Sequence, residues 1–277
     1  RYMHSHSFKN NSGFEGERVL VIGAGNSGCD CAMEISRVAA HVGISLRTPQ
    51  YIVPKFFLGK PADTFNSSML WVPKSIRNFL LKLSLRFQLG RYSDYGLPEP
   101  QHGILEAHPT MNSELLYKIR HGKVHPRPAV SEIKGKTVVF SDGTQENYDT
   151  VVAATGYKIE TAFFDKNFLD YSESDRIELY LRMFHPDHPS LFFIGLFQPQ
   201  GAIWPGSELQ SQLVAKHITG QWQMPTEIKK LARQDADEIE RNFIKRKRHT
   251  IQVDYHEFMN KLRRELRNCK KTSLEPV

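Results

Sequence analysis

An α/β fold built on a parallel sheet is predicted for this chain by three features of the sequence. Arg18 to Ala24 (RVLVIGA) is a short apolar run rich in β-branched residues, as a strand buried on both faces requires. Gly23-x-Gly25-x-x-Gly28 follows at once and opens a stretch of helical periodicity. A second buried run, Thr150 to Ala154 (TVVAA), stops at Thr155-Gly156-Tyr157. The 277 residues leave room for about two domains, and 40% hydrophobic with 24% charged residues excludes a disordered or collagen-like chain.

The elements follow in order. After the glycines a helix is expected from about Ser27 to Ala40, with Ala32, Ile35, Val38 and Ala39 on one face. A strand at about Val42 to Leu46 completes a βαβ opening. Between residues 48 and 110 only Ile76 to Phe87 reads clearly as a helix. Met111 to His121 reads as another, capped by Asn112 or Ser113 and ended by Gly122. Val130–Ile133 and Thr137–Phe140 form a hairpin about Lys134-Gly135, and Ser141–Thr144 makes the next turn. Leu191 to Gly195 (LFFIG) is expected as a later strand. Ser207-Glu208-Leu209-Gln210 then fits a capping box for a helix that stops at Gly220. Two amphipathic helices close the chain. Ile228, Leu231, Ile239 and Phe243 stripe the first; Tyr255, Phe258, Met259, Leu262 and Leu266 stripe the second.

Composition narrows the function. The net charge is +7, and residues 225–277 carry 14 Lys/Arg against 9 Asp/Glu. Acids are interleaved throughout, so solvated helices explain that excess better than a nucleic-acid or membrane patch. Lys245–Arg248 is a basic run with no recognition module beside it, and nucleic acid is not an expected partner. Three cysteines exclude a disulfide scaffold and fit a reducing, cytoplasmic setting. Cys29 and Cys31 are two apart on a helix and do not share a face. His102, His108, His121 and His125, and the pair His185 and His188, have no cysteine pair or carboxylate cluster to complete a metal site. The longest apolar-plus-glycine run near the end, Leu191 to Phe197, is far too short to span a bilayer.

The glycine fingerprint carries the chemistry. Gly23 allows the tight turn, Gly25 lets the backbone approach a pyrophosphate, and Gly28 lets the helix pack on the strand. The helix amino terminus adds free amides and a favourable dipole. A carboxylate about 20 residues past the glycines would bond the ribose hydroxyls of NAD. This sequence has Arg47 there, 19 positions after Gly28, followed by Thr48. A guanidinium binds a 2′-phosphate bidentately, so these residues select NADP(H) over NAD(H).

VLVIGAGNSG (19–28), LRT (46–48), AATGY (153–157) and SLFFIGL (190–196) together resemble the flavin-containing monooxygenases and their Baeyer–Villiger relatives. RHTIQVDYHEFM (248–259) resembles that family's C-terminal region. YMHSHSF (2–8) is similar to the segment after the F-x-G of the family's signature, which places His4, Ser5 and Phe8 at the signature's end. The resemblance covers nearly the whole chain. The family carries two glycine fingerprints, the first for FAD and the second for NADPH. Only one stands here, and Asn26-Ser27 match the NADPH copy.

The resemblance implies a Rossmann-like two-dinucleotide-binding flavoprotein fold, with an NADPH domain inserted in an incomplete FAD domain. Residues 1–12 would be a linker, 13–156 the NADPH-binding domain, and 157–277 the C-terminal part of the FAD domain with a helical tail. The chain opens on Arg1, so the FAD fingerprint is expected ahead of it, and these residues alone are expected to be inactive. The implied function is FAD- and NADPH-dependent monooxygenation. NADPH reduces FAD, O2 is taken up as a C4a-(hydro)peroxyflavin, and one oxygen atom passes to a soft nitrogen or sulfur nucleophile of a small-molecule substrate. Alternatives are a Baeyer–Villiger attack on a ketone, an NADPH-dependent flavin reductase, and a non-catalytic NADP-binding or nucleic-acid-binding protein. A disulfide-type reductase would need a Cys-x-x-Cys, which is absent.

The cofactor-binding residues expected on these grounds are Gly23, Gly25, Asn26, Ser27, Gly28, Arg47 and Thr48. Thr155 and Gly156 join them as a turn that touches cofactor or serves as a hinge. Gln198 and Gln200 join them as amides near the flavin edge. His4 either gates the two domains or is a linker residue. No catalytic residue is named, because the family's oxygenation-related asparagine falls outside these residues. A homo-oligomer is left open.

Overall fold

The computed structural model describes residues 1–57, 59–62, 71–104, 109–199, 201–243 and 250–269. The chain divides into two compact units, Arg1–Gly156 and Tyr157–Val277. In the first unit the strands are β1 (Tyr2–His4), β2 (Arg18–Ile22), β3 (His41–Ser45), β4 (Ile52–Val53), β5 (Phe56–Phe57), β6 (Lys60–Pro61), β7 (Thr110–Met111), β8 (His125–Arg127), β9 (Val130–Lys134), β10 (Thr137–Phe140), β11 (Gln145–Asn147) and β12 (Thr150–Ala153). Its α-helices with described bounds are α1 (Asn26–Ile35), α2 (Lys74–Leu89) and α3 (Leu115–Arg120).

Five of these strands form one all-parallel sheet in the order β1-β12-β2-β3-β8. Side chains alternate across it with period two. Val19, Val21, Val42, Ile44 and Val152 face a core shared with Ala32 and Ile35 of α1. Leu20 and Val151 face the other way, onto Val138, Phe140 and Tyr148 of the β9-β10-β11 region. Burial on both faces is why β2 and β12 read as unbroken apolar runs. The observed architecture is therefore a Rossmann-like α/β fold.

Element ends differ from the sequence expectation where long-range bonds compete. Helix α1 ends at Ile35, not Ala40. The carbonyl of Val38 takes the amide of Gly16, and Ala40 and His41 both donate to Glu17 O, which turns the chain into β3. Met111 lies in β7, paired with β4, so α3 begins only at Leu115. Asn112, not Ser113, prepares that helix: its Oδ1 accepts from the amides of Glu114 at 3.0 Å and Leu115 at 2.8 Å.

The second unit holds α4 (Trp204–Ile218), α5 (Ile228–Asn242), α6 (Tyr255–Arg267) and a parallel pair, β13 (Gln198–Pro199) with β14 (Gln252–Val253). Its core gathers Phe184, Phe197, Leu213, Trp222, Ala232, Phe258, Met259 and Leu262. A side chain at Gly206 would meet Phe197 and Met259 at 2.5 and 2.6 Å, so glycine sets how closely α4 packs there. Asp254 caps α6, accepting from the amides of His256 and Glu257.

Two expectations fail in this unit. Leu191–Gly195 is not a strand. Among its residues only Phe192 bridges, to Phe184, and the chain turns at Ile194-Gly195 with φ +84 at the glycine. A strand needs a run of backbone partners, and Phe193 instead donates singly to Met183 O. The capping box also does not form. Helix α4 starts earlier, at Trp204, with Pro205 in the first turn, where a missing N–H is tolerated. Ser207 therefore lies inside the helix. Gln210 is fully buried and ties two loops, accepting from Gly195 N at 2.8 Å and donating to Leu181 O at 3.0 Å.

Candidate functional site

The glycine turn sits where β2 ends. The chain leaves β2 through α1 to β3 on one side, while β12 flanks β2 on the other. This reversal makes a switch point, and in open parallel sheets ligands bind outside the carboxyl ends of the strands at such a point. Gly23 has φ +103, and a Cβ there would lie 2.4 Å from Ala154 O. At Gly28 a Cβ would lie 1.9 Å from Gly23 O, so the helix can approach the turn only without a side chain. A Cβ at Gly25 would meet nothing within 4 Å. Two of the glycines are demanded by packing. The third faces open space, where a ligand can reach the backbone.

The amides beside that space suit an anion. The Cys29 amide is bonded to Gly25 O at 2.9 Å. Those of Asn26, Ser27 and Gly28 come before it, in the first turn, where helical amides lack intrahelical partners. Asn26 and Ser27 are exposed. The Asn26 side chain is partly used: its Oδ1 accepts from Met111 N at 2.8 Å, which leaves its amide NH2 group.

Arg47 and Thr48 follow β3 on the same sheet edge, and both are exposed. Gly23 donates to Ser45 O at 2.9 Å, which fixes the end of β3 against the glycine turn. Among the described residues Arg47 has no acidic partner, so its guanidinium remains available to a phosphate. Thr155 and Gly156 follow β12, and Gly156 has φ +96. His4 ends β1 in register with Ala153. Its Nδ1 accepts from His6 N, so Nε2 carries the proton and donates to Gly156 O at 3.2 Å.

Nine of the expected residues thus gather at one sheet edge: Gly23, Gly25, Asn26, Ser27, Gly28, Arg47, Thr48, Thr155 and Gly156. Gln198 lies in the second unit, its backbone amide bonded to Ile251 O at 2.7 Å. Gln200 lies outside the described residues, as do His108 and the Lys245–Arg248 run.

A buttress of the turn had no local signal in the sequence. The Ala24 carbonyl accepts from Thr110 Oγ1 at 2.9 Å, from Cys29 Sγ at 3.3 Å, and from the side-chain amide of Gln50. Thr110 and Gln50 come from the stretch that reads poorly by periodicity. Cys29 and Cys31 are free and buried, and burial pushes their thiols up to about 12 and about 11. They are packing residues, not thiolates. Among the described residues no group of three or more His, Cys, Asp or Glu gathers as a metal site would.

Comparison with known proteins agrees with this fold. A family model described as flavin-binding monooxygenase-like matches residues 1–274. Human flavin-containing monooxygenase 5 is 37% identical over 279 residues, covering 95% of this chain and 51% of that protein. Mouse dimethylaniline monooxygenase [N-oxide-forming] 2 is 33% identical over 282 residues, covering 96% and 51%. The chain therefore spans about half the length of the curated relatives it matches. A solved steroid monooxygenase bound to NADP shares the fold at a TM-score of 0.67 and 13% identity, over 96% of this chain and 68% of that one. With its Rossmann-like sheet, its single glycine fingerprint and a match over almost its entire length, the chain belongs to the flavin-binding monooxygenase-like family.

Proposed function

We propose that residues 13–156 hold NADPH for a monooxygenase that also uses FAD, and that residues 157–277 are the C-terminal part of its FAD domain. The observation that carries this reading is the open space at Gly25 beside the free first turn of α1, with Arg47 exposed on the same edge. The pyrophosphate is received by the amides of Asn26, Ser27 and Gly28. The 2′-phosphate is taken by Arg47, with Thr48 beside it as a hydroxyl donor. Thr155 and Gly156 line the far side of the turn. NADP in the related steroid monooxygenase structure supports the choice of nucleotide.

When bound, NADPH supplies hydride and FAD the activation of O2. This chain's own residues orient the first of these. The fixed positions of Gly23 and Gly28 hold the α1 amides where they point outward from the sheet edge. The second unit contributes Gln198 towards the flavin edge, and the first unit holds and orients the nicotinamide nucleotide. The small-molecule substrate is a soft nitrogen or sulfur nucleophile with O2 as co-substrate, and the curated relative named for N-oxide formation supports the nitrogen case.

Arg47→Ala tests the assignment. It removes a charge-assisted contact, so NADPH binding should weaken by about 1–3 kcal/mol while NADH binding changes little. The measurement is the dissociation constant of each nucleotide for the two proteins. An unchanged preference between them would remove the reason for choosing NADP.

A further inference from the structure

We propose that the second unit binds one structural water between Arg182 and Gln252, which ties strand β14 to the Leu181–Arg182 turn. This goes beyond the nucleotide reading and does not depend on it. Arg182 and Gln252 are buried at 1% and 0% exposure. Two arms of the Arg182 guanidinium are used: Nη1 donates to Ile177 O at 2.8 Å and Nη2 to Thr250 O at 3.2 Å. Its Nε has no partner among the described residues, and neither has Oε1 or Nε2 of Gln252. Both residues line one cavity, which α5, α6 and β14 also line. Buried polar side chains are nearly always hydrogen-bonded, so three such atoms around one cavity point to a guest. Burial pushes the Arg182 guanidinium down to about 10, as expected of a cation short of acceptors. The backbone beside it is strained as well. Leu181 and Arg182 have φ +51 and +56, a region that residues with a Cβ rarely adopt. Such a turn persists only where its surroundings over-determine it. The Asp235 carboxylate and the Gln210 amide grip it at Leu181 N and Leu181 O, at 2.8 and 3.0 Å, and a third bond from Arg182 adds to that grip.

Size and charge identify the guest. The cavity measures about 20 Å³, and one water needs about 10–15 Å³ of such space, so an organic ligand does not fit. The charged residues lining it are Arg182 and Lys261 against Asp235, Glu238 and Asp254. The carboxylates already have partners. Lys261 donates to Asp235 Oδ1 at 3.2 Å and to Glu238 Oε2 at 2.5 Å, and Asp254 Oδ1 accepts the first amides of α6. An anion here would meet more acids than bases. A halide only accepts, which leaves Gln252 Oε1 unmet. A cation only donates, which leaves Arg182 Nε unmet and sets two cations together. Water does both, accepting from Arg182 Nε and donating to Gln252 Oε1.

A high-resolution crystal structure of the purified protein tests this. A water should stand about 3 Å from both Arg182 Nε and Gln252 Oε1. In solution, oxygen-17 magnetic relaxation dispersion counts long-lived internal waters. Gln252→Met keeps the bulk of the side chain and removes its amide, so it should lower that count by one. The wild-type density decides the matter if this variant folds poorly. A well-ordered map in which Gln252 bonds Arg182 Nε directly, with no water between them, would overturn the proposal. An unchanged count in a Gln252→Met protein of native circular dichroism would do the same. An anomalous peak at this position after bromide exchange would overturn it in favour of an anion.

Discussion

Gly25 and Gly28 are three residues apart in one motif, yet they answer to different demands. Gly28 is required by the fold, since a Cβ would fall 1.9 Å from Gly23 O. Gly25 has φ −69, which any residue adopts, and a Cβ there would have no neighbour within 4 Å. Gly28→Ala should therefore destabilise the protein by about 3 kcal/mol or more in urea unfolding. Gly25→Ala should unfold within about 0.5 kcal/mol of wild type yet bind NADP+ at least roughly tenfold more weakly. Equal loss of stability in both would show that Gly25 is a packing residue as well. The sequence distinguishes these roles only through its motif; the distances separate them. Arg47 was legible for a simpler reason, because strand length and one βαβ unit fix its place. The bonds of Gln50 and Thr110 to Ala24 O were not legible, since nothing local announces a contact between residues 24 and 110.

Among elements, the packing of the hairpin β9–β10–β11 on the sheet has an electrostatic anchor. Arg127 of β8 donates to Glu146 Oε1 and the Tyr148 hydroxyl to Oε2, each at 2.5 Å. His41, whose ring stacks on His125, lies 3.6 Å from Oε2. Burial alone would raise the Glu146 carboxyl, but the bonds from Arg127 and Tyr148 and the Arg127 charge hold it at about 2. The His41 and His125 imidazoles are pushed down, by burial first and by nearby arginines. For Glu146 the folded value lies below the ordinary 4.5, so its contribution is full above pH 4.5 and fades as pH falls towards 2. Glu146→Gln should cost roughly 1–3 kcal/mol at neutral pH, and the gap to wild type should close over that acid range. Urea unfolding at a series of pH values checks both sign and window. The buried strands and the striped tail helices were legible because period and burial agree. Leu191–Gly195 and the Ser207 box were not, because an apolar run does not state its partners and Pro205 can open a helix before a capping motif.

At the scale of the molecule, the chain has a five-stranded parallel sheet with its switch point in one unit and mainly helices in the other. The fold class was legible because burial on both faces shapes the two apolar strand runs, and the glycine motif marks the turn from strand to helix. The nine residues gathered at the sheet edge lie between positions 23 and 156, and only a βαβ topology brings such distant segments to one end. The central claim, that the edge holding Gly25 and Arg47 receives a 2′-phosphorylated nicotinamide nucleotide, is tested most directly by calorimetric titration of the purified protein with NADP+ and NAD+. One NADP+ should bind per chain, at least roughly tenfold more tightly than NAD+. Equal affinity for the two nucleotides, or heat from neither, would contradict it.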